Sequence, residues 1–156
     1  MNTFIAGILT FLLSIFPSCG ILQSLAYPGT STIRNNIITA IEERDATSLE
    51  AMMCQYVKKN VPNLKNEIEK MLNIMEDEII DFRWSSTGGL DSSANGQISY
   101  SGYLLTCTTA LNSYTFALAW MKVNTRAPDE VGLRSLQLLD SENNILCSIY
   151  VPSQYF

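Results

Sequence analysis

Few residues of this chain have the means to do chemistry, because histidine is missing altogether. That removes Ser-His-Asp and Cys-His triads and the HExxH zinc site, and it leaves zinc without its commonest nitrogen ligand. Cations and carboxylates set among apolar residues come next. Arg83 and Arg134 both sit in strand-like stretches with apolar neighbours. Facing inward, each needs a carboxylate partner or serves as a binding group for an anion; the expectation adopted is that they face outward into solvent. Asp81, between Ile80 and Phe82, is the strand carboxylate placed to act as a general base if burial raises its pKa. Trp84, Tyr114 and Trp120 belong to the aromatic content of the same region. Core packing accounts for them, and a groove that includes Tyr114 and Trp120 is the sharper reading. The candidate groove is therefore Asp81, Arg83, Trp84, Tyr114, Trp120 and Arg134.

Cys19 is the residue whose surroundings point to a definite reaction. From Phe4 to Phe16 no charge occurs, and Pro17-Ser18-Cys19-Gly20 follows. As a helix this stretch spans ~20 Å, short of the ~30 Å hydrocarbon core, so it makes a poor membrane span and a good signal-peptide core. A helix break and a small residue directly before a cysteine resemble a lipobox, in which cleavage precedes the cysteine and a diacylglycerol is attached to its thiol. No Lys or Arg precedes the apolar run, and Phe16 stands three residues before Cys19, where Leu is usual. Simple secretion, an uncleaved anchor and a packed core helix stay open beside lipidation. Residues 1–18 are expected to be a lipoprotein signal peptide, 19–29 the lipidated cysteine and tether, and 30–156 the folded domain.

Cys54, Cys107 and Cys147 sit in apolar surroundings and read as small buried hydrophobes, with a Cys107–Cys147 bridge as the less favoured alternative. No histidine is present to activate a thiolate. Glu76, Asp77, Glu78 and Asp81 form an acidic cluster. Successive helical positions diverge by about 100°, so these carboxylates read as solvated surface rather than as a cation site.

The elements that position these residues follow from hydrophobic period. Ile33, Ile37, Ile38 and Ile41 share a helical face, with Thr30 to Thr32 as candidate caps. The stretch TSLE (Thr47 to Glu50) reads as a capping box opening a helix that carries Leu49, Met52, Met53, Tyr56 and Val57. Pro62-Asn63 starts a third helix, whose stripe runs from Leu64 to Ile79. From about residue 80 the period changes to two. Ser85 to Gly96 reads as a mobile Gly/Ser-rich connection. Strands are expected at 97–110, 113–125, 131–139 and 145–151, with turns at Leu111 to Ser113, Arg126 to Glu130 and Asp140 to Asn144. Helices first and antiparallel strands after imply an α+β domain with a curved sheet of four to five strands.

Two segments carry a resemblance: IITAIEERDATSLEAMM (Ile37 to Met53) and YTFALAWMKVNTRAPDEVGLRSLQLLD (Tyr114 to Asp140). With the cysteine-ended signal, they resemble an uncharacterised family of small lipoproteins from low-GC Gram-positive bacteria. The element order is similar to the cone-shaped fold of the nuclear transport factor 2-like and cystatin-like superfamily. The resemblance implies a fold and an address, and it brings no catalytic residue with it.

The net charge of −5 and pI near 4.6, with no basic cluster, argue against nucleic acid as a partner. The expectation is a lipid-anchored protein on the extracytoplasmic face of the cell membrane. Its non-catalytic domain would bind a ligand or another envelope protein, without cofactor or metal. Two alternatives stand beside it: an enzyme with an isomerase- or dehydratase-like pocket, and an immunity-type protein that neutralises a secreted toxin.

Overall fold

A computed structural model describes residues 29–93 and 96–153. Cys19, the expected signal segment 1–18 and nearly all of the expected tether lie outside the described residues.

Among the described residues, four helices precede five strands: α1 (Thr30–Glu42), α2 (Ala46–Met52), α3 (Gln55–Asn60), α4 (Leu64–Asn73), β1 (Ile79–Ser92), β2 (Ile98–Thr109), β3 (Ser113–Asn124), β4 (Gly132–Leu139) and β5 (Ile145–Tyr150). The strands form one antiparallel sheet in the order β1-β2-β3-β4-β5. The molecule is an open α+β meander with its helices gathered at the N-terminal side. Among the described residues, no helix is long and apolar enough to cross a membrane.

The helices form where the apolar period supports them. In α1 the buried residues are Ile33, Ile37, Ala40 and Ile41, one stripe at helical spacing. Its N-cap is Gly29, and Thr30 to Thr32 lie inside the first turn rather than capping it. In α4 the stripe is Leu64, Ile68, Met71 and Leu72. These stripes meet the inner face of the sheet, where Tyr103, Leu105, Cys107, Phe116, Leu118, Leu133, Leu136 and Leu138 complete the core.

Two expectations are corrected. The helix predicted from Thr47 through Val57 is two short helices, and the N-cap is Asp45, whose carboxylate accepts from the Thr47 and Ser48 amides. Between the two helices, Met53 and Cys54 are extended. Met53 bridges to Leu133 in parallel, and the Cys54 amide donates to the Leu133 carbonyl at 3.0 Å. This sheet bond replaces the helical one. It depends on close approach at Gly132, where φ is +123° and an added Cβ would lie 3.1 Å from the Met52 carbonyl oxygen.

The second correction concerns the Gly/Ser-rich stretch. Up to Ser92 it is not a connection but the second half of β1, paired with β2 from Ser85↔Leu104 to Ser92↔Ile98 across one irregularity at Ser86/Gly88. β1 is an edge strand whose outer half is largely exposed, so small polar residues lose nothing there that burial would have provided. Gly89 has a positive role, since a Cβ at that position would collide with the Tyr100 carbonyl of the paired strand.

Candidate binding site

The two arginines singled out by sequence go to opposite environments. Arg83 is exposed on β1, whereas Arg134 is 7% exposed in β4. The expectation of a solvated Arg134 is thus corrected. The pairing of β3 with β4 explains why it is buried. Ala119 pairs with Ser135 and Trp120 with Leu133, so Arg134 is an extra residue in a bulge. The bulge leaves Leu133 and Arg134 buried side by side, which regular alternation along a strand does not allow.

A buried guanidinium needs partners, and the turn before β4 provides them. Pro128–Glu130 forms one turn of 3-10 helix and places Glu130 almost wholly inside, 1% exposed. Arg134 Nη2 lies 3.5 Å from Glu130 Oε1. The Ser153 hydroxyl donates to the same oxygen at 2.8 Å. Oε2 accepts from the Asn124 amide at 3.1 Å, while Asn124 Oδ1 accepts from the Arg126 and Ala127 amides and so ties β3 to the turn. On its other side, Arg134 lies over the Tyr56 ring, 4.9 Å from the centroid. The Tyr56 hydroxyl donates to the Pro152 carbonyl at 3.1 Å, which brings α3 and the segment after β5 to the same place.

Beside this network is a cavity of about 400 Å³ whose walls include Tyr100, Trp120, Met121, Glu130, Arg134 and Tyr150. Two donors in its wall residues are buried and unpartnered: Trp120 Nε1 and Arg134 Nη1. A buried donor without an acceptor costs on the order of 1–3 kcal/mol, so native proteins seldom keep one. Here two such donors occur on residues that border one cavity.

The other expected groove residues lie elsewhere. Tyr114 is on β3 six positions from Trp120, about 20 Å along the strand, and packs against the core. Trp84 is half-buried and stacks on Tyr103 with ring centroids 4.9 Å apart. Asp81 is exposed on edge strand β1, away from the cavity walls. It therefore lacks the buried pocket position that the enzymatic alternative required of it. The functional residue that sequence does not single out is Glu130, within the expected turn Arg126 to Glu130. Its four-residue spacing from Arg134, a strand arginine in need of a carboxylate, is the signal that was available.

The two buried cysteines are poor nucleophiles. Cys54, Cys107 and Cys147 are free thiols. Burial pushes the Cys54 thiol up and raises Cys107 to about 12, so both stay protonated at neutral pH. A Cys107–Cys147 bridge is excluded by topology. The two residues sit on β2 and β5, with β3 and β4 between them, a separation of about 14 Å at ordinary strand spacing, against about 6 Å for a disulfide. Glu76, Asp77 and Glu78 fall between α4 and β1, where Arg44 Nη2 donates to the Glu76 and Asp77 carbonyls. Among the described residues, no group of three or more metal-type ligands is gathered.

No curated protein matches the chain. A family model described as "Domain of unknown function (DUF5104)" matches residues 36–141. That range holds α2 to β4, Trp120, Glu130 and Arg134, together with both segments quoted above for their resemblance. This match covers more than half of the chain, which therefore belongs to the DUF5104 family.

Proposed function

We propose that this protein is a lipid-anchored component of the cell envelope, and that its α+β domain binds a ligand rather than transforming one. The binding site of this reading is the cavity beside Trp120 and Arg134. The observation that carries it is the pair of buried, unpartnered N–H donors on two residues that border one cavity. Such donors favour a site completed by an acceptor from outside. Two neighbouring groups with catalytic potential are otherwise engaged. Glu130 accepts three hydrogen bonds within the fold, and the nearby Cys54 thiol is kept protonated by burial.

The anchor rests on the sequence. The uncharged run Phe4 to Phe16 and the Pro17-Ser18-Cys19 junction support lipidation of Cys19. A diacylglycerol brings two chains to the membrane, enough for stable attachment where a single chain holds only reversibly. The order of four helices followed by an antiparallel meander supports kinship with the nuclear transport factor 2-like and cystatin-like cone, in which cavities beside the sheet take ligands.

The test is fractionation of the full chain expressed in a Gram-positive host grown with labelled palmitate. The expected result is label in the membrane fraction, with Cys19→Ala unlabelled and released. A wild-type chain that takes up no label, and that fractionates like Cys19→Ala, overturns the anchor.

A further inference from the structure

Resting on the reading of this cavity as a binding site, we infer that its ligand is neutral at the contact point: a carbonyl-type acceptor, as in an amide or ester, carried on a small apolar or aromatic body. A carboxylate or phosphate is disfavoured by the charges already present. The inference comes from counting charges and donors separately. Arg134 brings the cation, but Glu130 pairs with it at 3.5 Å, so the buried site holds one charge of each sign. What remains unspent is two N–H donors, one on the indole of Trp120 and one on the guanidinium of Arg134. A neutral acceptor that reaches these donors leaves the site balanced. An anion that reaches them leaves a net negative charge beside the Glu130 carboxylate in a buried place, where repulsion is strong. The chain's overall charge of −5 adds a repulsive field of the same sign.

The walls describe the rest of the ligand. Tyr100, Tyr150, Met121 and Ala119 give flat and flexible apolar contact within about 400 Å³, room for a single ring or a short branched chain. Because both donor nitrogens are shielded from solvent, an acceptor reaches them only when the rim yields. Tyr150, 57% exposed on β5 at the sheet edge, is the most exposed aromatic residue of that rim.

The experiment uses matched probes that differ only in charge: phenylacetamide against phenylacetate, and 4-methylpentanamide against 4-methylpentanoate. The chain has two tryptophans, so its ¹⁵N spectrum carries two indole resonances, and Trp84→Phe identifies which belongs to Trp120. The amides are expected to move the Trp120 indole resonance saturably at millimolar concentration, with affinity about tenfold or more above that of the carboxylates, or ~1.4 kcal/mol. Trp120→Phe, which keeps a ring and loses the donor, is expected to weaken amide binding several-fold by ligand-observed NMR. Carboxylates that bind as tightly as amides overturn the inference and leave the binding site intact. Amide binding unchanged in Trp120→Phe overturns it as well. If no probe of either charge moves the resonance, as when a buried water already satisfies the donors, the binding-site reading falls and the inference with it.

Discussion

The two ends of β3 are built on opposite plans. At the first end, Leu105, Phe116 and Leu138 lie across three neighbouring strands in register. All three are fully buried, and the polar contact beside them is a Thr106–Thr115 hydroxyl pair at 3.3 Å. Strict alternation suffices there, with Leu105, Phe116 and Leu138 inward and the residues on either side of each half-buried. At the second end, β3 meets an irregularity on each side, between Ser99 and Tyr100 toward β2 and between Ala119 and Trp120 toward β4. Buried Asn124, Glu130 and Arg134 collect there, and the cavity opens beside them. A regular strand makes a sealed core. A polar cavity wall required breaking the strand pattern, and the family match to residues 36–141 spans both plans.

The largest way to break this contrast is at Glu130. Glu130→Ala leaves Arg134 buried without its carboxylate and strips acceptors from Asn124 and Ser153. Loss of one partner of a buried pair is expected to cost about 3–5 kcal/mol in urea unfolding. The double variant Glu130→Met with Arg134→Met removes both charges and is expected to recover most of that loss. A single variant with near wild-type stability would show that the pair is not buried as described.

A somewhat smaller effect tests the sealed end. Leu105→Ala is expected to cost about 2–5 kcal/mol through lost burial and a residual cavity, and to leave the Trp120 indole resonance where it is. The two ends are linked by one strand, so a shift at Trp120 on cutting Leu105 would mean that they share a single packing unit. No shift keeps them independent.

The sealed end was the part readable from residues alone. Period-two runs in β2 to β5 and the period-3.6 stripes of α1 and α4 record the core directly, since burial selects apolar residues at fixed spacing. β1 beyond Trp84 was not readable: an exposed edge strand is held by backbone pairing with β2, which leaves no apolar signature. The break at Met53-Cys54 was hidden for a related reason, because the Leu133 carbonyl that captures the Cys54 amide comes from a strand far away in sequence. The candidate site was half legible. Trp120 and Arg134 stand out as an aromatic and a cation in two apolar strands, but the alternation that sends Arg134 outward holds only without the bulge. Glu130 sits in a Pro-Asp-Glu turn that looks solvent-facing, and only the tertiary packing of Ser153, Asn124 and Arg134 around it makes it interior.

The smallest effect isolates burial from hydrogen bonding, since Asp45 is a surface carboxylate that also accepts three hydrogen bonds. Asp45, at the surface, accepts from the Thr47 and Ser48 amides and from the Ser48 hydroxyl, as Glu130 accepts from Asn124, Arg134 and Ser153 in the interior. The bonds from Ser48, its hydroxyl first, and from Thr47 hold the Asp45 carboxyl below its ordinary 3.8. A carboxylate lowered in the folded state contributes stability above its unfolded pKa and loses it as pH falls through the folded value. Asp45→Ala is therefore expected to lower the unfolding midpoint slightly at pH 7, by much less than Glu130→Ala. The gap should be constant down to about pH 4 and then shrink toward zero. Urea midpoints of both proteins at pH 7, 5 and 3 measure it. A gap as large as that of Glu130→Ala would mean that the number of donors, rather than burial, sets what these carboxylates contribute. A gap that persists unchanged at pH 3 would mean that Asp45 acts through its shape at the start of α2 and not through its charge.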